Sequence, residues 1–140
     1  ERIAELRVAV DVPLVANGEI WTVDDALRCR EVSGCTSLML GRGMVADPGL
    51  ALALRTALGE PAALQPAGAP AALEWPHLLA LLRVFWSGIE HHITPRHRPG
   101  RLKQWLNFLR RRFPEAEMAY QQLRTVNEAA AMRQALYSLG

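Results

Sequence analysis

Two short stretches of the sequence decide the fold: Val12-Pro13-Leu14-Val15-Ala16-Asn17-Gly18-Glu19-Ile20 and Ser37-Leu38-Met39-Leu40-Gly41-Arg42-Gly43. Each is a short apolar run that ends in a polar turn containing glycine, and a helical pattern follows each one. Successive strand–turn–helix units are typical of α/β sheets and barrels, in which ligands bind at the carboxyl ends of the strands. The sequence therefore predicts a ligand site at these two turns.

The residues around these stretches predict the other elements of the first half. We expect a short buried strand at 14–16 and a second strand at 35–40, and Asn17-Gly18 can take left-handed backbone angles at low cost. The first helix is expected to begin after Thr22, an N-cap residue whose capping-box partner is Asp25. It should end at Gly34, which suits a helix C-terminus. Residues 1–10 fit the end of an amphipathic helix.

A second helix is predicted between Asp47-Pro48, as N-cap and first helical residue, and Gly59. Buried parallel strands need neighbours on both sides, so two strands imply further strands that this sequence does not contain. The chain also opens at Glu1 within a helical pattern, and we expect that its start is missing.

The composition changes at residues 59–72, where three prolines lie among alanines. This segment predicts a linker between an α/β domain at 1–58 and an all-α domain at 73–140. Four helices in a small bundle are expected after it, beginning near Pro76, Gly100, Pro114 and Asn127. The clearest periodicity lies in 100–113, with apolar residues at Leu102, Trp105, Leu106, Leu109 and Phe113. The helix that begins near Pro114 is expected to carry the apolar residues Met118, Leu123 and Val126.

The net charge of +2 conceals an asymmetry between the two halves. Residues 1–72 carry six Lys/Arg and nine Asp/Glu, a charge of −3, whereas residues 73–140 carry ten and five, a charge of +5. Between Arg96 and Arg112 there are seven Lys/Arg and no acid. The second half therefore favours an anionic partner.

Other features limit the class of protein. No apolar run reaches the roughly 18 residues of a membrane span, and the sequence shows no signal peptide at its start. Cys29 and Cys35 form no CxxC pair, which favours a reducing, cytoplasmic compartment over a disulfide scaffold. His91, His92 and His97 share no ligand spacing with a Cys, Asp or Glu, so we predict surface histidines and no metal site.

The turns themselves suggest anion binding. An Asn-Gly turn after a strand points N–H groups outward, and a following helix adds its positive end. Gly41-Arg42-Gly43 repeats this arrangement with an arginine that can form charge-assisted hydrogen bonds. Taken singly, each pattern is equally consistent with an ordinary turn. Glu19 could also be a general base, but a single carboxylate without a partner is weak support for that role.

These motifs resemble those of the tRNA-dihydrouridine synthases. Val15-Ala16-Asn17-Gly18-Glu19-Ile20, Ser33-Gly34-Cys35 and Met39-Leu40-Gly41-Arg42-Gly43 are similar to the last two β/α units of that family's (β/α)8 TIM barrel. Trp75-Pro76 and Arg101-Leu102-Lys103-Gln104-Trp105-Leu106 resemble its C-terminal helical domain, in particular in the subfamily that modifies uridine 16 of tRNA. The linker and the segment HHITPRHRPG at 91–100 are less similar.

The resemblance implies a flavoenzyme that reduces a uridine of the tRNA D loop, uridine 16, to 5,6-dihydrouridine. In the family FMN is reduced by NADPH and passes hydride to the uracil ring, which a cysteine protonates. By position, Asn17, Gly18 and Glu19 would contact FMN, and Gly41 and Arg42 would close on its phosphate. No residue here matches the catalytic cysteine, and we interpret Cys29 and Cys35 as packing residues. The chain thus resembles the C-terminal part of such an enzyme and is expected to be inactive alone.

The helical half is implied to bind tRNA through Arg101, Lys103 and Arg124. Arg110, Arg111 and Arg112 are also explained by the dipole at a helix C-terminus, so their role stays open. Phe108 could stack on a base or lie in the core. Two alternatives remain: a non-catalytic RNA-binding helical module without flavin, and another phosphate-binding barrel enzyme.

Overall fold

The computed structural model describes residues 2–60 and 73–140. The chain divides into two compact units, Glu1–Ala72 and Leu73–Gly140, which are described separately. Of the linker predicted at 59–72, residues 61–72 lie outside the described residues.

The first unit is a small parallel α/β arrangement. Its elements are α1 (Arg2–Ala9), β1 (Val15–Ala16), α2 (Val23–Ser33), β2 (Ser37–Leu38), α3 (Arg42–Ala46) and α4 (Leu50–Ala57). β1 and β2 pair in parallel, with Val15 opposite Ser37 and Ala16 opposite Leu38. Because parallel strands need a crossover connection, α2 runs back between them. The predicted strand–turn–helix order is confirmed.

Local side-chain chemistry defines both ends of α2. The Thr22 hydroxyl accepts a hydrogen bond from the N–H of Asp25 at 3.1 Å, and the Asp25 carboxylate accepts from the N–H of Thr22 at 3.0 Å. This is the predicted capping box. Gly34 ends the helix in the left-handed conformation, with φ of 67°, and its N–H donates to the carbonyl of Arg30. Both predicted helix boundaries are therefore confirmed.

The strands are shorter than predicted. The second spans Ser37–Leu38 instead of residues 35–40, and the first spans Val15–Ala16. The ladder extends by one more bond, from the N–H of Met39 to the carbonyl of Ala16 at 2.8 Å, before the chain turns away. Only Ala16 of β1 is buried, whereas Val15 is 55 % exposed. The expectation of a buried first strand is therefore wrong for Val15.

The region after β2 contains an unpredicted short helix, α3, and a shifted start of α4. The N-cap of α4 is Gly49, not Asp47. The Asp47 carboxylate accepts a hydrogen bond from the N–H of Gly49 at 2.9 Å and so stabilises the turn before the helix. Asp47 thus accepts a backbone hydrogen bond, as predicted for a cap, but it lies two residues before the N-cap of α4.

The core of the first unit is small. Ile20, Ala26, Leu50 and Leu54 form its buried cluster. α1 contributes no buried residue, although the sequence predicts an amphipathic helix there. In this unit, Ile20 and α4 therefore pack against α2 through only a few side chains.

The second unit is a helical bundle with one contiguous core. It contains α5 (Trp75–His92), a 3₁₀ turn (Pro95–His97), α6 (Arg98–Leu109), α7 (Pro114–Leu123) and α8 (Ala129–Ser138). Its largest fully buried side chains come from all four α-helices: Leu78, Leu82, Trp86, Leu102, Leu106, Leu109, Leu123, Met132 and Leu136. The predicted four-helix organisation is confirmed. The apolar stripe predicted from Gly100 onward is confirmed on α6 at Leu102, Leu106 and Leu109, whereas Trp105 is half-buried and the buried Phe113 lies after the end of α6.

At two positions the bundle differs from what the sequence suggests. Met118 is 59 % exposed because Ala116, Ala119 and Leu123 supply the buried positions of α7. α8 is capped by Glu128, not Asn127: the Glu128 carboxylate accepts from the N–H groups of Ala130 and Ala131 at 3.0 and 2.8 Å. Within the described ranges, no helix combines the length and hydropathy that crossing a bilayer requires.

Candidate functional site

Two turns line a single pocket of about 330 Å³. The first turn, residues 17–21, follows β1, and the second turn, residues 40–43, follows β2. They meet because parallel pairing places the carboxyl ends of both strands at one edge of the sheet. We call this the turn pocket. The five residues proposed from the sequence as cofactor contacts all line it: Asn17, Gly18, Glu19, Gly41 and Arg42.

The second turn exposes backbone donors. The N–H of Gly43 donates to the carbonyl of Leu40 at 3.0 Å, which closes the turn. Gly41 has φ of 53° and ψ of −124°, a conformation that residues with a side chain rarely adopt. Among the described residues, the N–H groups of Gly41 and Arg42 have no hydrogen-bond acceptor. The turn therefore presents two unsatisfied donors beside the Arg42 guanidinium.

Gly43 holds the two turns together, and the sequence analysis did not assign it a role. A Cβ on Gly43 would collide with the main-chain carbonyl oxygen of Ile20 and lie 3.0 Å from Cδ2 of Leu50. Only glycine permits this backbone approach, since Ile20 is itself buried in the core of the unit. The sequence signal that could have identified this role is the second glycine of the Gly-Arg-Gly motif.

The left-handed residue of the first turn is Glu19, with φ of 45°, and not Asn17 or Gly18, which could take such angles at low cost. Glu19 is held there by two side-chain bonds. Its carboxylate accepts from the Trp21 indole N–H at 3.0 Å and from the Arg42 guanidinium at 2.6 Å. Such a conformation costs about 1–3 kcal/mol in a residue with a side chain, so these bonds offset local strain.

The start of α2, which follows the first turn, is acidic. Asp24 and Asp25 lie in the first turn of α2, and the N–H groups of Trp21 and Thr22 already donate to Asp25. The hydrogen bond with the Thr22 side chain, followed by the one from the Trp21 N–H, holds the pKa of Asp25 below its usual value of 3.8. The Asp25 carboxylate thus accepts from two N–H groups that precede α2, and the expected contribution of the start of α2 to anion binding stays a prediction.

Arg42, from the second turn, supplies the positive charge that lines the turn pocket. Arg42 is 64 % exposed, lies over the Trp21 ring at 5.5 Å and pairs with Glu19, which is 70 % exposed. Ion pairs with this exposure contribute only about 0–1 kcal/mol, so an anionic ligand can replace Glu19 at the guanidinium. Trp21 was not singled out in the sequence, and its indole connects both charged side chains.

Neither cysteine lines the turn pocket. Cys35 is buried and Cys29 is half-buried, and both are free thiols. The described residues contain no group of three or more His, Cys, Asp or Glu that could hold a metal ion. The His91 ring nitrogen lies 2.6 Å from the carbonyl of Ser87, and His97 accepts a hydrogen bond from Arg96.

The predicted tRNA contacts lie at the surface of the helical unit. Arg101 is exposed, and its guanidinium donates to the Gln104 side-chain oxygen at 3.4 Å. The Lys103 ammonium donates to the Asn127 side-chain oxygen at 2.8 Å, and Arg124 is exposed at the end of α7. None of the three forms an ion pair with a described residue, so each keeps an uncompensated charge.

Arg110, in contrast, has a role within the bundle. Its guanidinium lies 3.3 Å from the Glu117 carboxylate and 4.7 Å from the centre of the Tyr120 ring. These contacts join the end of α6 to α7. Arg111 and Arg112 follow at the end of α6, where the helix dipole favours cations. Phe108 is half-buried, so both of its predicted roles stay open.

Comparison with known proteins identifies the family. Residues 1–135 match the family model for dihydrouridine synthase. The tRNA-dihydrouridine(16) synthase of Pseudomonas putida is 44% identical over 136 residues, which cover 97% of this chain and 40% of the relative. The enzyme of the same name from Aquipseudomonas alcaligenes is 41% identical over 136 residues, covering 97% of this chain and 41% of the relative.

A third relative with that name, from Ralstonia nicotianae, is 43% identical over 128 residues, covering 91% of this chain and 37% of the relative. The chain thus spans about 40% of the length of the curated relatives that it matches. The match extends over both units and includes both turns and the helix that carries Arg101 and Lys103. The chain therefore belongs to the dihydrouridine synthase family.

Proposed function

We propose that this chain supplies the phosphate end of an FMN site and part of a tRNA-binding surface to an enzyme that reduces uridine 16 of tRNA to dihydrouridine with NADPH. The observation that carries this proposal is the convergence of the first and second turns on one pocket. Similarity to proteins named tRNA-dihydrouridine(16) synthase supports the choice of substrate.

The residues of the turn pocket fit the anionic end of a flavin nucleotide. The unsatisfied N–H groups of Gly41 and Arg42 and the guanidinium of Arg42 would hold the phosphate. Asn17 and Glu19 come from the first turn, and their amide and carboxylate would suit the hydroxyl groups of the ribityl chain once the phosphate has taken the place of Glu19 at Arg42. Gly18 would contribute main-chain contacts.

The chemistry of the reaction comes from groups outside this pocket. FMN would supply hydride transfer when it is bound and reduced. The turn pocket would orient the cofactor and neutralise its phosphate, for which Arg42 would exchange the Glu19 carboxylate. We assign no catalytic residue to this chain, because neither cysteine lines the pocket, and we propose that the 140 residues do not turn over alone.

The helical unit would bring tRNA to the enzyme. Neutralising phosphates with Lys and Arg is the main source of affinity for nucleic acids. Arg101, Lys103 and Arg124 carry charge that no described carboxylate compensates. α6 also has no acid in its first turn, whereas α7 begins with Glu115 and Glu117.

Flavin titration tests the cofactor part of the proposal. We expect the chain to quench FMN fluorescence, and Arg42→Ala to weaken FMN binding about tenfold or more, because it removes a charge-assisted contact worth about 1.5–3 kcal/mol. Riboflavin, which lacks the phosphate, should bind the wild type and the variant equally. Equal loss for both flavins would show that Arg42 does not contact phosphate.

Two further readouts separate the alternatives. A chain that binds tRNA in a salt-dependent manner but does not bind FMN is a non-catalytic RNA-binding module, and one that binds FMN but not tRNA is a different phosphate-binding enzyme. Incubation with FMN, NADPH and an unmodified tRNA transcript should yield no dihydrouridine. Formation of dihydrouridine by the 140 residues would contradict the proposed division of labour.

A further inference from the structure

The cations of the helical unit can be sorted by their partners. Arg83 donates to the carbonyl of Leu139 at 3.0 Å, Arg110 pairs with Glu117, and Arg133 lies 3.9 Å from the Glu90 carboxylate. Arg98 donates to the carbonyls of Ile93 and Glu90, both at 2.8 Å, and so caps the end of α5. These four arginines have structural roles.

Arg96 belongs with the other kind of cation. It is exposed, and its guanidinium donates at 2.9 Å to Nε2 of His97, an imidazole and not a carboxylate. Like Arg101, Lys103 and Arg124, Arg96 forms no ion pair with a described residue. Arg96 is not part of the sequence motifs on which the resemblance to the family was based.

The backbone presents Arg96 in a fixed position. The 3₁₀ turn Pro95–His97 is closed by the N–H of His97, which donates to the carbonyl of Thr94 at 2.9 Å. The residue after this turn, Arg98, is hydrogen-bonded to the end of α5. The 3₁₀ turn leads directly into α6 and packs against it. Little conformational entropy remains to be lost from the backbone of Arg96 on binding.

We infer that Arg96 contacts the RNA backbone and extends the tRNA-binding surface from α6 onto the 3₁₀ turn. The inference rests on the proposed function of the helical unit. Arg96 lies five residues before Arg101 on a continuous segment with no acid, and the 3₁₀ turn that carries it leads directly into α6, so both arginines add positive charge to the same end of α6. A guanidinium that is not paired with a described carboxylate can bind a phosphate without first breaking an ion pair.

The test is the salt dependence of binding of an unmodified tRNA transcript to the whole chain, measured by fluorescence anisotropy. Arg96→Gln keeps a donor for His97 but removes the charge. We expect it to weaken binding about eightfold at 0.1 M salt and to lower the slope of log K against log salt by about 0.9, the contribution of one phosphate contact. Arg96→Lys should stay within about twofold of the wild type.

Arg133→Gln is the matched control, because it removes the same charge from an exposed arginine of the same unit. It should change affinity less than about twofold. Equal effects of Arg96→Gln and Arg133→Gln, or an unchanged slope for Arg96→Gln, would overturn the inference. In that case weakening by Arg101→Ala with Lys103→Ala would leave the proposed function standing, whereas no effect of that pair would remove the helical unit from tRNA binding altogether.

Discussion

The two units of the molecule are stabilised by different kinds of contact. The helical unit has a contiguous core to which α5, α6, α7 and α8 all contribute. The first unit has a small core, and it exposes apolar side chains on α1, the strands and the loops, among them Val8 at 87 % and Val12 at 63 %. The turn pocket therefore depends on local contacts: a capping box, an ion pair and one close backbone approach.

This contrast teaches where each unit is sensitive. Removal of a core side chain should be most damaging in the helical unit, because a tightly packed core collapses poorly around a cavity. In the first unit the sensitive positions are glycines and caps. The expected effects below follow from this difference, in decreasing order.

The largest effect is expected from Trp86→Ala. Trp86 is fully buried in the helical core, and truncation of such a residue costs about 3–5 kcal/mol. Thermal unfolding followed by circular dichroism measures the loss, and tRNA binding should fall with it. Val84→Ala, at a position 70 % exposed on the same helix, should change stability by less than about 0.5 kcal/mol. Similar losses for both variants would mean that the bundle lacks the packing described.

An intermediate effect is expected from Gly43→Ala. The added methyl group collides with the carbonyl of Ile20, and strain of this kind costs about 1–3 kcal/mol or separates the turns. FMN binding should be lost. Gly88→Ala is the control, because Gly88 lies in α5, outside the turn pocket, has no positive φ, and has no heavy atom within 4 Å of the position that its added methyl group would take. A tolerated Gly43→Ala would show that the two turns do not touch.

The smallest effect is expected from Thr22→Ala, about 1 kcal/mol from the loss of the cap. The bond with Thr22 contributes most to the lowered pKa of Asp25, so stability from this group is present above pH 3.8 and is lost as the pH falls through the folded pKa. Thr22→Ala should raise that pKa toward 3.8, measured by carboxyl-carbon NMR titration.

Glu128 provides the internal control in the other unit. The N–H groups of Ala131 and Ala130 hold its pKa below the usual value of 4.5. Its titration should be the same in the wild type and in Thr22→Ala. A shift of Glu128 in that variant would indicate global unfolding instead of a local loss of the cap.

Much of the fold could be predicted from local chemistry. Thr22, Asp25 and Gly34 mark the ends of α2 because capping involves residues close in sequence, and the 3.6-residue period around Leu102 and Leu106 marks α6. The exposure of Met118 and the position of the left-handed residue at Glu19 could not be predicted. They depend on which face packs and on bonds to Trp21 and to Arg42, which lies 23 residues away.

The same division holds for the candidate sites. The Asn-Gly and Gly-Arg-Gly motifs identified the residues of the turn pocket, since each turn has its own sequence signature. The role of Gly43 required the path of the backbone past Ile20, which no local pattern records. The distinction between Arg96 and Arg110 likewise required knowledge of which carboxylates lie nearby.

The central claim is that the two turns hold the phosphate end of one FMN molecule. The most direct test is a ¹H–¹⁵N NMR titration of the chain with FMN, followed at the amides of Gly18, Gly41 and Gly43. The account predicts that amides of both turns shift together with a single dissociation constant, and that riboflavin leaves Gly41 and Gly43 unmoved. Shifts confined to one turn, or no shifts at either, would contradict it.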